Sequence, residues 1–523
     1  MPERNTMKKI QELQQVKGDA YDYYIAGNED TDLFEKIFLV DDIVEEICKP
    51  DKYFLIGEKG SGKTAYSVYM SKSDKINSFC SISLVENTLY QRFLNMKRQK
   101  ALELSSFKDV WINLIYLILA EKIRKEYGET FFSSMKYKQL SKAIDVFYSD
   151  AFKPEFVNAF EFVDNASASI NSMMKQGLFS TGTKASAETS QKYVEQSFQI
   201  SLLKIRDGFE KAFMSVNLKK PTILFVDGID ARPRDIDNEQ YFECLVGLVN
   251  AVLEMNQSFL KEKQIKIMLL IRPDIMYKMP VHNMNQKLRN NSVLLNWVTS
   301  YRKYIDSKLF KIADDYFMKQ QDYSYELGEC WNYYFPYKVE YWKAPDNPFV
   351  EFLRYSLYKP RDILTMLNEM VDATSGTQFK HSDFEGILSN YSTYLKGELK
   401  DYMLIYMDDS DYNNFSIFFD YFQGHRNFNY KFFEEKHLEY IKYLRELGRK
   451  IPPFMETASE ALQLLYDTNI ICYKIYETLP NGKRKNKMFW SYKERNYANM
   501  QPEVKKGDEY SFHMAYARAF RLF

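Results

Sequence analysis

Four short stretches of this chain place side chains where phosphate chemistry would need them. The apolar run Tyr53-Phe-Leu-Ile56 leads straight into Gly57-Glu58-Lys59-Gly60-Ser61-Gly62-Lys63-Thr64, with Ala65 next. Glycines at this spacing let backbone N–H groups close around phosphate oxygens. Lys63 is placed to reach the β- and γ-phosphates, and the Thr64 hydroxyl to ligate Mg²⁺. Residues from Thr64 to about Met70 suit a helix, whose positive N-terminal end would face the anion. A nucleoside triphosphate is the expected ligand.

The second stretch is Pro221-Thr-Ile-Leu-Phe-Val-Asp227-Gly228-Ile-Asp230, a buried-type strand ending in acid. Asp227 is expected to hold Mg²⁺ through water, and Asp230 is the candidate general base. An ordinary strand followed by an Asp-Gly turn reads the same way locally. A further apolar strand, Ile265 to Ile271, ends in Arg272-Pro273-Asp274. Arg272 is a candidate for contacting phosphate, in this subunit or a neighbour; pairing with Asp274 or Asp230 is the alternative. The fourth stretch, Lys359-Pro360-Arg361-Asp362, opens a helix with Leu364, Leu367 and Val371 on one face. Arg361 is either a phosphate-directed arginine, suited by its planar fork, or part of a helix cap.

These residues need a scaffold, and the pattern supplies an α/β one. Apolar strands near 53–56, 79–85, 222–227 and 265–271 alternate with helical segments. Trp111, Leu114, Ile115, Ile118 and Leu119 recur at helical spacing and predict a long amphipathic helix with Trp111 as a core anchor. A helix is predicted to begin near Asp41. Phe38 to Val40 just before it either flank a base or pack on the sheet edge. Residues 164–192 are small, polar and aperiodic, which predicts a mobile insertion. Val194, Phe198, Leu202, Ile205 and Phe209 then share a helical face. The expected architecture is a parallel sheet flanked by helices over 1–280, a helical lid over 281–400 and a winged-helix-like domain over 401–523.

The last of these rests on Leu438, Ile441 and Leu444 marking one helix, and on a capping box at Thr457-Ala-Ser-Glu460 opening another. Two strands, Ile470–Tyr476 and Lys487–Tyr492, flank the turn residues Leu-Pro-Asn-Gly. Lys483, Arg484, Lys485 and Lys487 near that turn are candidates for a DNA backbone, or a solvated charge run.

Composition sets limits. The 523 residues contain 71 Lys plus Arg and 71 Asp plus Glu. The resulting zero net charge supplies no global attraction to nucleic acid or membrane. Five cysteines without paired spacing fit a reducing cytosol and offer no zinc or disulfide framework. The N-terminus lacks an apolar signal core, and runs such as Ile112 to Ala120 are too short to span a bilayer. A cytoplasmic protein without membrane partners is the expectation.

Taken together, Glu58-Lys-Gly-Ser-Gly-Lys-Thr64, the Asp227-Gly-Ile-Asp230 strand end, Arg272, Lys359-Pro-Arg-Asp362 and the tail resemble bacterial P-loop ATPases of the AAA+/STAND group. The Asp-Gly-Ile-Asp form is also similar to NACHT-type ATPases. The resemblance implies an ATP- and Mg²⁺-dependent switch with Arg361 as a lid arginine, homo-oligomerisation and a separate effector protein. Several such families act in bacterial antiviral defence. It departs at Gly228, where many AAA+ ATPases carry the glutamate that activates water, and at Ala231, where NACHT proteins continue with glutamate. Weak or partner-stimulated hydrolysis is therefore expected. A DNA-associated remodeller or loader using the C-terminal module is the alternative.

Overall fold

The computed structural model describes residues 7–25, 28–85, 107–132, 137–150, 202–230, 232, 238–279, 284–341, 344–478 and 484–523. The 164–192 insertion, Val194, Phe198, Ala231, the 479–482 turn and Lys483 lie outside them. Internal contacts divide the chain into two compact units. A sheet unit contains Ile43–Ile56 and Met70–Val293, and a loop unit contains Met1–Asp42, Gly57–Tyr69 and Leu294–Phe523. The helical segments of 301–400 and the whole of 401–523 thus share one unit with the glycine loop.

The sheet unit is built on β1 (Phe54–Ile56), β2 (Phe79–Leu84), β3 (Thr222–Asp227) and β4 (Ile265–Ile271), with β5 (Ser292–Leu294) at the edge of the sheet. Their order is β2-β3-β4-β1-β5. β1 and β4 pair in parallel with Ile56 opposite Ile271, and β3 pairs in parallel with both β2 and β4. Every residue of β1, β3 and β4 is buried. A continuous apolar run is what a parallel strand covered on both faces requires. Parallel direction also brings Ile56, Asp227 and Ile271 to one edge of the sheet.

Helices flank this sheet. Helix Asn238–Asn256 buries Leu245, Leu248, Val249 and Val252. Asn256 ties it to β4, donating to the Ile267 carbonyl at 2.8 Å and accepting from the Ile267 N–H at 2.9 Å. Helix Phe107–Phe132 corrects the amphipathic expectation, because Val110 through Ala120 are buried without interruption around its circumference. A helix apolar all round belongs in a core. Trp111 is the anchor expected, its indole donating to the Cys244 carbonyl at 3.0 Å.

In the loop unit, helix Pro360–Ala373 starts with proline at its first position, where the missing N–H costs nothing. It buries Ile363, Met366, Leu367, Met370 and Val371; Leu364 lies beside that face, half-buried. A two-stranded antiparallel ribbon joins β6 (Val339–Tyr341) and β7 (Ala344–Asp346).

The C-terminal sheet is antiparallel, with β8 (Asn427–Phe428), β9 (Ile471–Thr478), β10 (Arg484–Phe489) and β11 (Glu509–Phe512) in the order β10-β9-β11-β8. Helix Tyr430–Glu446 buries Phe433, His437, Tyr440, Ile441 and Leu444, whereas Leu438, expected on that face, is 63% exposed. Helix Ala458–Asp467 opens with the expected capping box between Thr457 and Glu460. The second hairpin strand starts earlier than expected, at Arg484, and ends at Phe489. Residues Ser491–Glu494 turn into a short helix, closed by the Lys493 N–H donating to the Trp490 carbonyl at 2.9 Å. Burial of Trp490 and Tyr492 favours that turn over a longer strand. Among the described residues, no helix is long and apolar enough to cross a membrane.

Candidate functional site

The chain leaves β1 at Ile56 and makes a tight loop before helix Lys63–Lys72 begins. Gly60 and Gly62 adopt φ of +82° and +95°, backbone that only glycine takes without strain. A side chain at Gly57 would meet the Ser61 Oγ. The Ser61 N–H bonds the Glu58 carbonyl at 3.1 Å. Lys63 is buried at the first position of the helix, its Nζ donating to the carbonyls of Gly57 at 2.9 Å and Glu58 at 3.2 Å. Thr64 and Ala65 follow, half-buried. The Ser61 Oγ is buried without a hydrogen-bond partner among the described residues.

An unpartnered buried hydroxyl in a glycine loop at a helix N-terminus is a polar group that an anion's oxygen would satisfy. With Lys63 close by, the residues fit a triphosphate and its Mg²⁺.

Segments distant in sequence grip the loop. The Trp297 indole donates to the Ser61 carbonyl at 2.9 Å. The Arg361 N–H approaches the Gly60 carbonyl at 3.4 Å, and a side chain at Gly60 would press on the Arg361 Cβ at 3.2 Å. The Arg361 guanidinium lies 3.6 Å from Glu398, which also pairs with Lys59 at 3.2 Å; Lys59 reaches Asp401 at 2.9 Å as well. Glu58 pairs with Arg495 and lies 3.8 Å from Lys359. Asp362 accepts from the Leu357 N–H at 2.7 Å, and burial holds its carboxyl above the usual range against the pull of Lys359. Arg361 is therefore brought to the loop, by an ion pair with Glu398 as well as by its backbone.

Trp297, Glu398 and Arg495 carried no signal in the sequence. Each is an ordinary polar or aromatic residue whose partner in the glycine loop is hundreds of positions away. The segment before residue 41 packs on the loop's own helix. Phe38 stacks on Tyr69 at 4.2 Å and meets Tyr66 edge-on at 5.1 Å. The Tyr66 hydroxyl donates to Asp41 at 3.0 Å, and burial with this carboxylate raises its pKa.

In the sheet unit, Asp227 ends β3 and is buried, its Oδ1 accepting from the Gly228 N–H at 2.8 Å. Gly228 has φ of +81°, and a Cβ there would stand 3.1 Å from the Val85 carbonyl oxygen. Glycine at 228 thus has a backbone reason. Asp230 sits in the turn that follows, half-buried. Arg272 is 1% exposed, not a surface residue. Its Nε and Nη2 donate to Asp274 at 3.0 and 2.6 Å while it leads into helix Pro273–Lys278.

On the C-terminal hairpin, Arg484 and Lys485 are exposed, and Lys487 pairs with Glu477 at 2.6 Å. The five cysteines are free thiols, and no His/Cys/Asp/Glu cluster among the described residues could hold a metal. No protein-family model, curated protein or solved structure matches the chain.

Proposed function

We propose that this protein is a P-loop ATPase of the AAA+/STAND group, an ATP- and Mg²⁺-binding switch that governs its own assembly or a partner effector. The observation that carries the reading is the loop itself. Two left-handed glycines, a Ser61 hydroxyl unpartnered among the described residues and buried Lys63 stand together at the start of a helix. When bound, Mg²⁺ would supply positive charge against the phosphates during transfer. In this reading Lys63 would leave the Gly57 and Glu58 carbonyls for phosphate, Thr64 would ligate Mg²⁺, Asp227 would hold it through water, and Asp230 would be the general base for the attacking water.

Sheet order supports kinship with AAA+ proteins. β4 lies between the loop strand β1 and the acid strand β3, and Arg272 follows it where such proteins place a polar sensor. Arg361 is the proposed lid arginine, supported by its approach to Gly60. The Tyr430–Glu446 and Ala458–Asp467 helices followed by the β9–β10 hairpin support a winged-helix-like module. Exposed Arg484 and Lys485 on that hairpin favour, as a second reading, a DNA-associated ATPase.

Light scattering after size-exclusion chromatography, with and without Mg-ATP, tests the proposal. Wild type should form a defined oligomer with ATP, and Lys63→Ala should neither assemble nor bind. Unchanged ATP affinity in Lys63→Ala sinks the loop assignment. Binding without assembly, together with hydrolysis stimulated by duplex DNA, favours the second reading.

A further inference from the structure

We propose that Arg495 is a positioning residue for the phosphate loop: it neutralises Glu58, so that docking of the turn after the β9–β10 hairpin sets nucleotide affinity. The inference rests on the nucleotide-binding reading above and names a regulator of that site.

Glu58 directly follows the first glycine of the loop. A carboxylate there opposes a polyanion that the neighbouring N–H groups are shaped to hold, because like charges at short range repel strongly where water is scarce. Arg495 is 7% exposed, and three of its nitrogens are committed. Nη1 donates to Glu58 Oε1, Nε to the Met500 carbonyl at 2.9 Å and Nη2 to the Ser491 Oγ at 3.1 Å. A guanidinium held by backbone and hydroxyl on its other edges presents one fixed fork to the loop. Lys359 adds a weaker second cation at 3.8 Å.

The turn that delivers Arg495 is itself fastened to the hairpin. The Glu494 carboxylate accepts from the Tyr473 hydroxyl at 3.0 Å and from the Tyr466 hydroxyl, and Tyr473 belongs to β9. Lys493 lies over the Tyr358 ring at 4.5 Å, next to the Lys359-Pro-Arg segment. Hairpin, turn and loop form one chain of contacts. A displacement of the hairpin module would withdraw Arg495 and leave the Glu58 charge facing the phosphates.

The test titrates the full-length protein with the slowly hydrolysed analogue ATPγS and Mg²⁺ by calorimetry, at low and high salt. Arg495→Gln should weaken binding by about tenfold, the order expected for one uncompensated charge near a polyanion, with a smaller loss at high salt. Glu58→Gln should bind more tightly than wild type. The double variant Glu58→Gln/Arg495→Gln should recover most of the affinity that Arg495→Gln loses. Equal affinity in Arg495→Gln and wild type overturns the role of Arg495, as does a double variant no better than Arg495→Gln. Should Arg495→Gln fail to fold, Glu58→Gln alone decides: weaker binding overturns the proposal and tighter binding upholds it. A wild type that binds no ATPγS overturns the nucleotide reading itself, a result distinct from the others.

Discussion

The indole N–H of Trp297 donates to the backbone carbonyl of Ser61 at 2.9 Å, across 236 positions of sequence. That carbonyl belongs to the tightest part of the glycine loop, where flanking glycines offer no side chains to hold the backbone. A rigid aromatic donor supplies the restraint that the loop's own composition lacks.

Replacement Trp297→Phe keeps the ring and removes the donor. One hydrogen bond is worth about 1 kcal/mol net, with more lost where its partner is left buried. We expect a stability loss of about that size and a several-fold weaker Mg-ATP affinity, measured by urea unfolding and by nucleotide titration. Unaltered values in both measurements would show that the loop holds its shape unaided.

On the ATPase proposal, Asp230→Ala should retain ATP binding and lose hydrolysis, since that proposal makes Asp230 the general base. Phosphate release and nucleotide affinity, measured side by side, separate the two. Full turnover in this variant removes Asp230 as the base.

Installing the glutamate common in AAA+ ATPases, Gly228→Glu, should not raise turnover. At φ of +81° any side chain is strained, and its Cβ would meet the Val85 carbonyl at 3.1 Å. A loss of about 1–2 kcal/mol is expected on denaturation, the usual scale for left-handed backbone in a non-glycine residue. A stable variant with faster hydrolysis would contradict this account.

His513 gives the fold an acid limit. Its Nε2 donates to the Ser356 carbonyl at 3.1 Å, and its buried Nδ1 has no hydrogen-bond partner among the described residues. Burial, reinforced by the charges of Arg426, Lys493 and Lys359, pushes its pKa down from 6.5 to about 3. The unfolded chain takes up this proton below 6.5 while the folded chain does not. The stabilisation is therefore complete above 6.5 and lost as pH falls toward 3, at up to about 1.4 kcal/mol per pH unit. Urea midpoints at pH 7.5 and 5.5 should show the loss in wild type and a shallower one in His513→Gln. Identical acid slopes in the two proteins would exclude His513 as the cause.

Local signals were legible where local physics decides. The strands Phe54–Ile56, Thr222–Asp227 and Ile265–Ile271 announce themselves as apolar runs, because a strand covered on both faces needs no polar alternation. The Thr457–Glu460 cap and Pro360 at a helix start were equally readable, since their bonds close within four residues. Faces were read less well. Leu438 fits a helical stripe yet is exposed, and residues 110–120 of the 107–132 helix are buried all round, because which side meets a neighbour depends on elements far along the chain.

By itself the sequence determined the loop, since glycine spacing, lysine and threonine act over a dozen residues of backbone. It also determined the acid and arginine that end β3 and β4. Only the tertiary structure decided what surrounds those residues. It delivers Arg495 to Glu58, Glu398 to Lys59 and Arg361, and Trp297 to Ser61. It also turns Arg272 onto Asp274 in a buried pair. Ion pairs and hydrogen bonds between distant segments leave no periodicity to read. Their partners are chosen by where packing brings the backbone, and that is a property of the whole fold.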